Sequence, residues 1–473
     1  MEIGNEPTNS RMQRYRALMI WRTIASGALL CGTTAFVLAG MAPARLDAQQ
    51  AATASLVLEG VAIVDVEHGK IVPGQRVVVT GNRITAVGGA STVKMPKDAQ
   101  IVDASGKYLI PGLWDMHVHV NASRWFDDVA AQDSLYRERY PRFIAHGVTG
   151  IREMGQRFQN GAASFRIWRR EVMAGTLVGP RAIGPSADVS DEGRLPLESP
   201  ERAIRVIDSL KAAGDAFVKS HEEPNDRSVF FAMMREARRV GLPVVGHVPP
   251  SVTEVEAVDS GMHSIEHIRG GGPRDCWPHS QSADSVALEK ACTPVAEAYV
   301  RNGTWFTPTL VTMLILSADR QSFANMLRYL RTMHRLGVTK ILAGSDLILA
   351  SMEREPEFLP GLSSAEELLF LVEAGLTPVE ALQAATLNPA KFLNATDSLG
   401  TVAAGKLADL VLLDANPLAD ITNVLKLRAV VANGRYFDRS ALDALDPAGT
   451  RPGNGMLMVE RRLNRKTGAG PNP

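Results

Sequence analysis

Five residues of ligand type close short apolar runs in the sequence. They are His117 and His119 in "LWDMHVHV", His247 in "VVGHV", His267 in "SIEHI" and Asp346 in "LAGSD". Neutral imidazoles and a carboxylate suit zinc or a similar divalent ion. A further polar residue, Lys219, ends the apolar run "AFVKSH", where desolvation penalises an ammonium. Either Lys219 snorkels out of a strand end, or it is not an ammonium in the working protein. Asp115, His117 and His119 share strand parity, so they face one side while Met116 and Val118 face the other. Two histidines spaced by two on a strand can bind one metal from one face. Alone, that pattern fits a core or helix-capping histidine as well; the other strand ends make it specific.

Positioning these residues requires that the runs be strands whose ends meet. Between residues 111 and 390, short apolar runs repeatedly precede amphipathic stretches such as "PERAIRVIDSLKAAG" and "RSVFFAMMREARRVG". Several of these end in Gly, as helix C-caps do. Eight strands alternating with helices predict an α/β fold, a parallel (β/α)8 TIM barrel, with its chemistry at the C-terminal strand ends. The flanks read differently. "ASLVLEGVAIVDVEHGKIVPGQRVVVTGNRITAVG", "GKLADLVLLDAN" and "LRAVVANGRYF" alternate apolar and polar residues between turn signals, as short antiparallel strands do. Residues 49–110 and 391–445 are therefore expected to build one small β-sandwich together, followed by a loose Pro/Gly-rich tail at 446–473.

At 473 residues, 45% hydrophobic and 22% charged, with a formal net charge of zero, the chain is globular. The charge balance gives no support to a nucleic-acid or polybasic membrane partner; a small-molecule substrate is expected, and a homo-oligomer is left open. Residues 1–48 combine Arg11, Arg14, Arg16 and Arg22, an uncharged run over 23–42 and small residues up to Ala48. That pattern predicts a secretory signal peptide and a secreted or periplasmic protein. The apolar run is also long enough to stay as an uncleaved N-terminal membrane anchor. Export would leave Cys276 and Cys292 in an oxidising compartment, where they can form a disulfide or remain two unrelated thiols.

"PGLWDMHVHV", "VVGHV", "SIEHI" and "LAGSD", with "GLTPVEALQAATLNPA" and "GKLADLVLLDANPL", resemble the amidohydrolase superfamily over about residues 55 to 440. The branch most resembled contains imidazolonepropionase-like proteins and zinc-dependent Xaa-Pro or Xaa-Arg dipeptidases. The resemblance implies two divalent ions, with His117, His119 and Asp346 on one and His247 and His267 on the other. It also implies that Lys219 is an N6-carboxylysine bridging both. A desolvated neutral amine can react with carbon dioxide to give such an anionic bidentate ligand. Two metals would share a hydroxide and polarise the scissile carbonyl. Asp346 would serve as general base and then general acid toward the leaving amine.

The implied reaction is hydrolysis of an amide bond in a dipeptide or N-acyl amino acid. A lactonase or esterase would use the same centre, and a Schiff-base lyase would use Lys219 as nucleophile. The filled ligand positions argue against the lyase and against a non-catalytic relative.

Two residues are candidates for substrate contact. His221 shares parity with Lys219, one step nearer the barrel mouth, and stands where many relatives carry an aromatic residue; an exposed loop histidine is the plainer reading. Arg152 in "GIREMG" could meet a substrate carboxylate bidentately, or pair structurally with Glu153 or a neighbour. Glu266 should point out of the barrel by parity and orient helices or loops. His68, His146, His263 and His334 fall in turns or at helix ends and read as structural. The long segments 186–200, 269–292 and 347–364 could cover the site and set substrate choice. The last of these lacks the histidine that many relatives place before the next helix.

Overall fold

The computed structural model describes residues 55–447, apart from 121–128, 156–160, 185–187, 190–195, 223, 225, 269–274, 277–283, 318 and 349–358. The expected signal segment, most of the tail and much of each long covering segment lie outside the described residues. No described helix is long and apolar enough to cross a membrane.

The two ends of the described chain share one sheet. Its strands are β1 (Leu56–Asp65), β2 (Lys70–Thr80), β3 (Arg83–Gly89), β4 (Gln100–Asp103) and β5 (Tyr108–Pro111), joined by β15 (Leu410–Leu413), β16 (Leu427–Ala432) and β17 (Arg435–Phe437). The order is β17-β16-β15-β5-β1-β2-β3, with β4 paired to β1. Antiparallel pairing of β15 with β5 joins the two ends, from Leu410 opposite Pro111 to Leu413 opposite Tyr108. Leu58, Val61, Val77, Val79, Leu109, Leu410 and Leu412 pack into one buried cluster of this sheet.

Between them, among the described residues, lie nine strands that pair in parallel: β6 (Leu113–His119), β7 (Val148–Glu153), β8 (Arg181–Ile183), β9 (Asp188–Val189), β10 (Val218–Ser220), β11 (Val244–Gly246), β12 (Ser264–Glu266), β13 (Trp305–Thr307) and β14 (Leu347–Ile348). They form two sheets, β14-β6-β7-β8 and β13-β12-β11-β10-β9. The run "ILAGSD", expected as an eighth strand, is irregular. Ile341 makes only an isolated bridge to Phe306. Hydrogen bonds nevertheless tie this segment to both sheets: Leu342 N donates to Phe306 O, Met116 N to Ala343 O, and Asp346 N to His117 O. Gly344 permits the close passage, since a Cβ there would stand 2.7 Å from His117 Cβ.

The helices begin and end on local signals. Pro200–Ala213 has Ser199 accepting from Arg202 N at its start and Gly214 at φ 78° at its end. Arg227–Val240 is capped by Asp226 and stopped by Gly241, and Ser285–Asn302 by Asp284 and Gly303. Each cap satisfies otherwise unpaired backbone groups. Cys276 and Cys292 form a disulfide, tying the segment after β12 to the helix Ser285–Asn302.

Candidate metal centre

The strand ends bring the ligand-type residues together. Donor atoms of His117, His267 and Asp346 all lie within 4.8 Å of one another. Asp346 Oδ1 is 3.4 Å from His117 Nε2 and 3.3 Å from His119 Nε2. The His247 ring centroid lies 4.9 Å from that of His267, and the His221 ring 5.1 Å from that of His247. Lys219 is fully buried; as an ammonium it would lower the pKa of His117, His247, His267 and Asp346 alike.

Backbone geometry aims several of these groups. His267 and Asp346 have positive φ, 68° and 53°, a region that costs non-glycine residues on the order of 1–3 kcal/mol. Gly246, between Lys219 and His247, has φ 125°, and a Cβ there would meet Ser220 O at 2.0 Å and Lys219 Cδ at 3.1 Å. Asp115 lies beneath the centre and joins β6 to the irregular segment. It accepts hydrogen bonds from His117 N, Ser345 N, Ser345 Oγ and Ser364 Oγ.

Electrostatics keep His117, His247 and His267 neutral. Burial, reinforced by neighbouring His267 and Lys219, holds His117 well below the usual histidine range. Burial and Lys219 do the same to His247. Burial pushes His267 down to about 4 despite the pull of Asp346. For Asp346, burial pushes the carboxyl up, but His267, His119 and Lys219 outweigh it and leave it below the ordinary carboxylate range. A buried neutral imidazole offers a lone pair, which is what a cation requires. His117 Nε2 and His247 Nδ1 are both buried without a hydrogen-bond partner. These orphaned nitrogens and the adjacent carboxylate fit a divalent ion.

Two residues are placed differently from expectation. Arg152 does not reach the site mouth and is not available to a substrate carboxylate. It is fully buried and donates to Met116 O, Ser264 Oγ, both carboxylate oxygens of Glu266, and Thr307 Oγ1. Its partner is thus Glu266, not Glu153. Glu266 in turn does not point outward: it is fully buried and lies 2.9 Å from His117 Nδ1. The alternation that predicted an outward carboxylate stops at His267, where the positive φ turns the chain. Sequence reasoning also missed Thr309, whose Oγ1 sits 2.8 Å from His267 Nδ1; the only signal was its place just after "TWFTP". The other histidines among the described residues have partners outside the centre: His68 with Asp65, His146 with Asp446, His334 with Glu380, and His263 with its ring tilted against that of Phe392.

Comparison with known proteins gives this arrangement a family. The amidohydrolase family model matches residues 108–436. An adenine deaminase of Rubrobacter xylanophilus is 24% identical over 397 residues, covering 80% of this chain and 58% of the deaminase. The chain therefore spans about six-tenths of that relative's length. An ochratoxinase of Aspergillus niger is 25% identical over 380 residues, covering 68% of this chain and 73% of the ochratoxinase. The crystal structure of a Xaa-Pro dipeptidase with methionine bound in its active site is similar in fold, with a TM-score of 0.64 at 19% identity. That match covers 81% of this chain and 100% of the dipeptidase chain. Because the family model covers well over half of its residues and its metal-binding residue types meet at one place, the chain belongs to the amidohydrolase family of hydrolytic enzymes.

Proposed function

We propose that this chain is a two-metal hydrolase that cleaves the C–N bond of a small substrate, such as a dipeptide or an N-acyl amino acid. The observation that carries the reading is the convergence of His117, His267 and Asp346 donor atoms within 4.8 Å, with a buried lysine beside them. His117, His119 and Asp346 would hold one ion and His247 and His267 the other. Lys219, carboxylated on its amine with loss of one proton, would supply the anionic bridge. Zinc suits this donor set. When bound, such ions polarise a carbonyl and favour ionisation of water near neutral pH.

The protein's own groups supply the rest. Asp346, held as a carboxylate, takes the proton of the attacking water and delivers it to the departing amine as the C–N bond breaks. Its reach toward both histidines of β6 supports that role. His221, beside His247 and partly exposed, is the side chain we assign to substrate contact. The hydrogen bonds that link residues 340–346 to Phe306 on one side and to Met116 and His117 on the other support a closed (β/α)8 barrel. The eight-stranded sheet of the two chain ends supports a small sandwich domain beside it. The Cys276–Cys292 bridge supports export to an oxidising compartment.

The adenine deaminase relatives keep a second reaction class in play, hydrolytic removal of ammonia from an aromatic amine, and the same centre could open a lactone. The test is the metal content of the purified protein, with and without Lys219→Ala, beside turnover of a dipeptide, an N-acyl amino acid, a lactone and adenine. About two equivalents of metal, most of it lost in Lys219→Ala, with turnover of an amide, is the expected result. An unmutated protein that binds no metal would sink the reading; turnover of adenine or the lactone alone would replace the substrate class.

A further inference from the structure

We propose that Glu266 is a positioning residue for the metal centre: its carboxylate holds the proton of His117 on Nδ1, so that Nε2 faces the cation, and Arg152 holds that carboxylate in place. The inference rests on the metal-centre reading for its purpose but on hydrogen-bond geometry for its content. His117 Nδ1 lies 2.9 Å from Glu266 Oε2, and both side chains are fully buried. A carboxylate only accepts, so the imidazole nitrogen it meets carries the proton. The lone pair is then on Nε2, the atom that has no hydrogen-bond partner and points toward Asp346 at 3.4 Å.

Arg152 fixes that carboxylate in place within the core. Its Nη2 lies 2.9 Å from each oxygen of Glu266. Ser264 Oγ donates to Oε1 of the same carboxylate. The guanidinium itself is clamped by Met116 O and Thr307 Oγ1 and lies over the rings of Phe392 and Phe217, at 4.8 and 5.9 Å from their centroids. Strands β6, β7, β12 and β13 thus all contribute to one polar cluster whose free end is His117. A buried ion pair serving only the core would leave His117 free to choose its tautomer. Partners of this kind, behind a ligating histidine, typically change metal affinity by about 10–100-fold when removed.

The test uses the full chain stripped of metal with a chelator, and zinc as the probe. Nitrogen-resolved NMR of the imidazoles reports the tautomer of His117 before any metal is added, with the resonance assigned by loss in His117→Gln. The expected result is a proton on Nδ1. Two variants follow: Glu266→Gln, which keeps an acceptor but loses the charge, and the double variant R152M/E266M. The double variant removes both ions together, a change that buried pairs often tolerate. The double variant should lose the fixed tautomer and bind zinc about 10–100-fold more weakly in a competitive chelator titration, with Glu266→Gln between it and the unmutated chain.

A proton on Nε2 of His117 in the unmutated chain would overturn the proposal whether or not the variants fold. So would a folded double variant with unchanged tautomer and zinc affinity. A proton on Nδ1 in a chain that takes up no zinc would instead overturn the metal-centre reading and leave the hydrogen-bond assignment standing.

Discussion

Thr309 Oγ1 lies 2.8 Å from His267 Nδ1, and both residues have positive φ, 51° and 68°. A β-branched residue resists the left-handed region, so something must hold Thr309 there. Glu367, fully buried, accepts hydrogen bonds from Leu310 N and Val311 N at 2.9 Å each and fixes the turn just after it. A hydroxyl that accepts the Nδ1 proton leaves the lone pair of His267 on Nε2, for the site. Thr309→Ala should therefore weaken zinc binding by about tenfold, while Thr309→Ser, which keeps the hydroxyl, should not. Equal affinities in a chelator titration of the two variants would show that the hydroxyl has no part in orienting His267.

Glu366 makes stability fall with pH. Its carboxyl is almost wholly buried, and Oε1 lacks a hydrogen-bond partner. Burial pushes its pKa from 4.5 up to about 7. Across that window the folded state binds more protons than the unfolded state, so unfolding free energy decreases as pH rises. The stability is fully present below about pH 4.5 and lost by about pH 7, and the shift corresponds to on the order of 3 kcal/mol. Glu366→Gln should flatten this part of the urea-unfolding profile and raise stability at pH 8. A residual slope should remain from Glu367, which burial pushes up to about 8 against the hydrogen bonds of Leu310 N and Val311 N. An unaltered profile in Glu366→Gln would mean the carboxyl is solvated or paired after all.

Gly246 is the position where backbone shape and the centre are most tightly linked. The atom that an added Cβ would meet at 2.0 Å is Ser220 O, part of the backbone and unable to rotate away. Lys219 Cδ stands next at 3.1 Å, so relief of the clash would move the lysine. Gly246→Ala should cost about 2 kcal/mol or more of stability and lower metal content in whatever protein folds. An unchanged denaturation midpoint would contradict this.

Strand-end chemistry could be read in the sequence because a strand's alternation is rigid: Asp115, His117 and His119 share a face whatever else the chain does. The same rule failed one residue beyond β12. At His267 the backbone turns to φ 68°, so Glu266 and His267 both reach the interior, and no pattern of residue types announces that turn. Arg152 misled for a related reason. A charged residue near a strand's end suggests ligand contact, yet its guanidinium meets Glu266 within the core, a pairing that only the assembled strands create. "ILAGSD" looked like a strand because it is apolar, but Gly344 packed against His117 and Asp346 at φ 53° make it an irregular seam.

His221 separates substrate recognition from metal binding. Its ring stands 5.1 Å from the His247 ring at an interplanar angle of 78°, and it is more exposed than Lys219 or His117. Its backbone N–H reaches Val189 O at 3.4 Å, which anchors the residue where β10 ends beside β9. A side chain so placed can touch a substrate held over the centre without donating to a cation itself. Loss of one such hydrogen bond costs about 1 kcal/mol, so His221→Ala should raise KM by up to about tenfold and change kcat less. Metal content should be unchanged, because the residues assigned to the ions are intact. If metal content falls together with activity, His221 belongs to the metal centre; if neither KM nor metal content moves, it belongs to the loop.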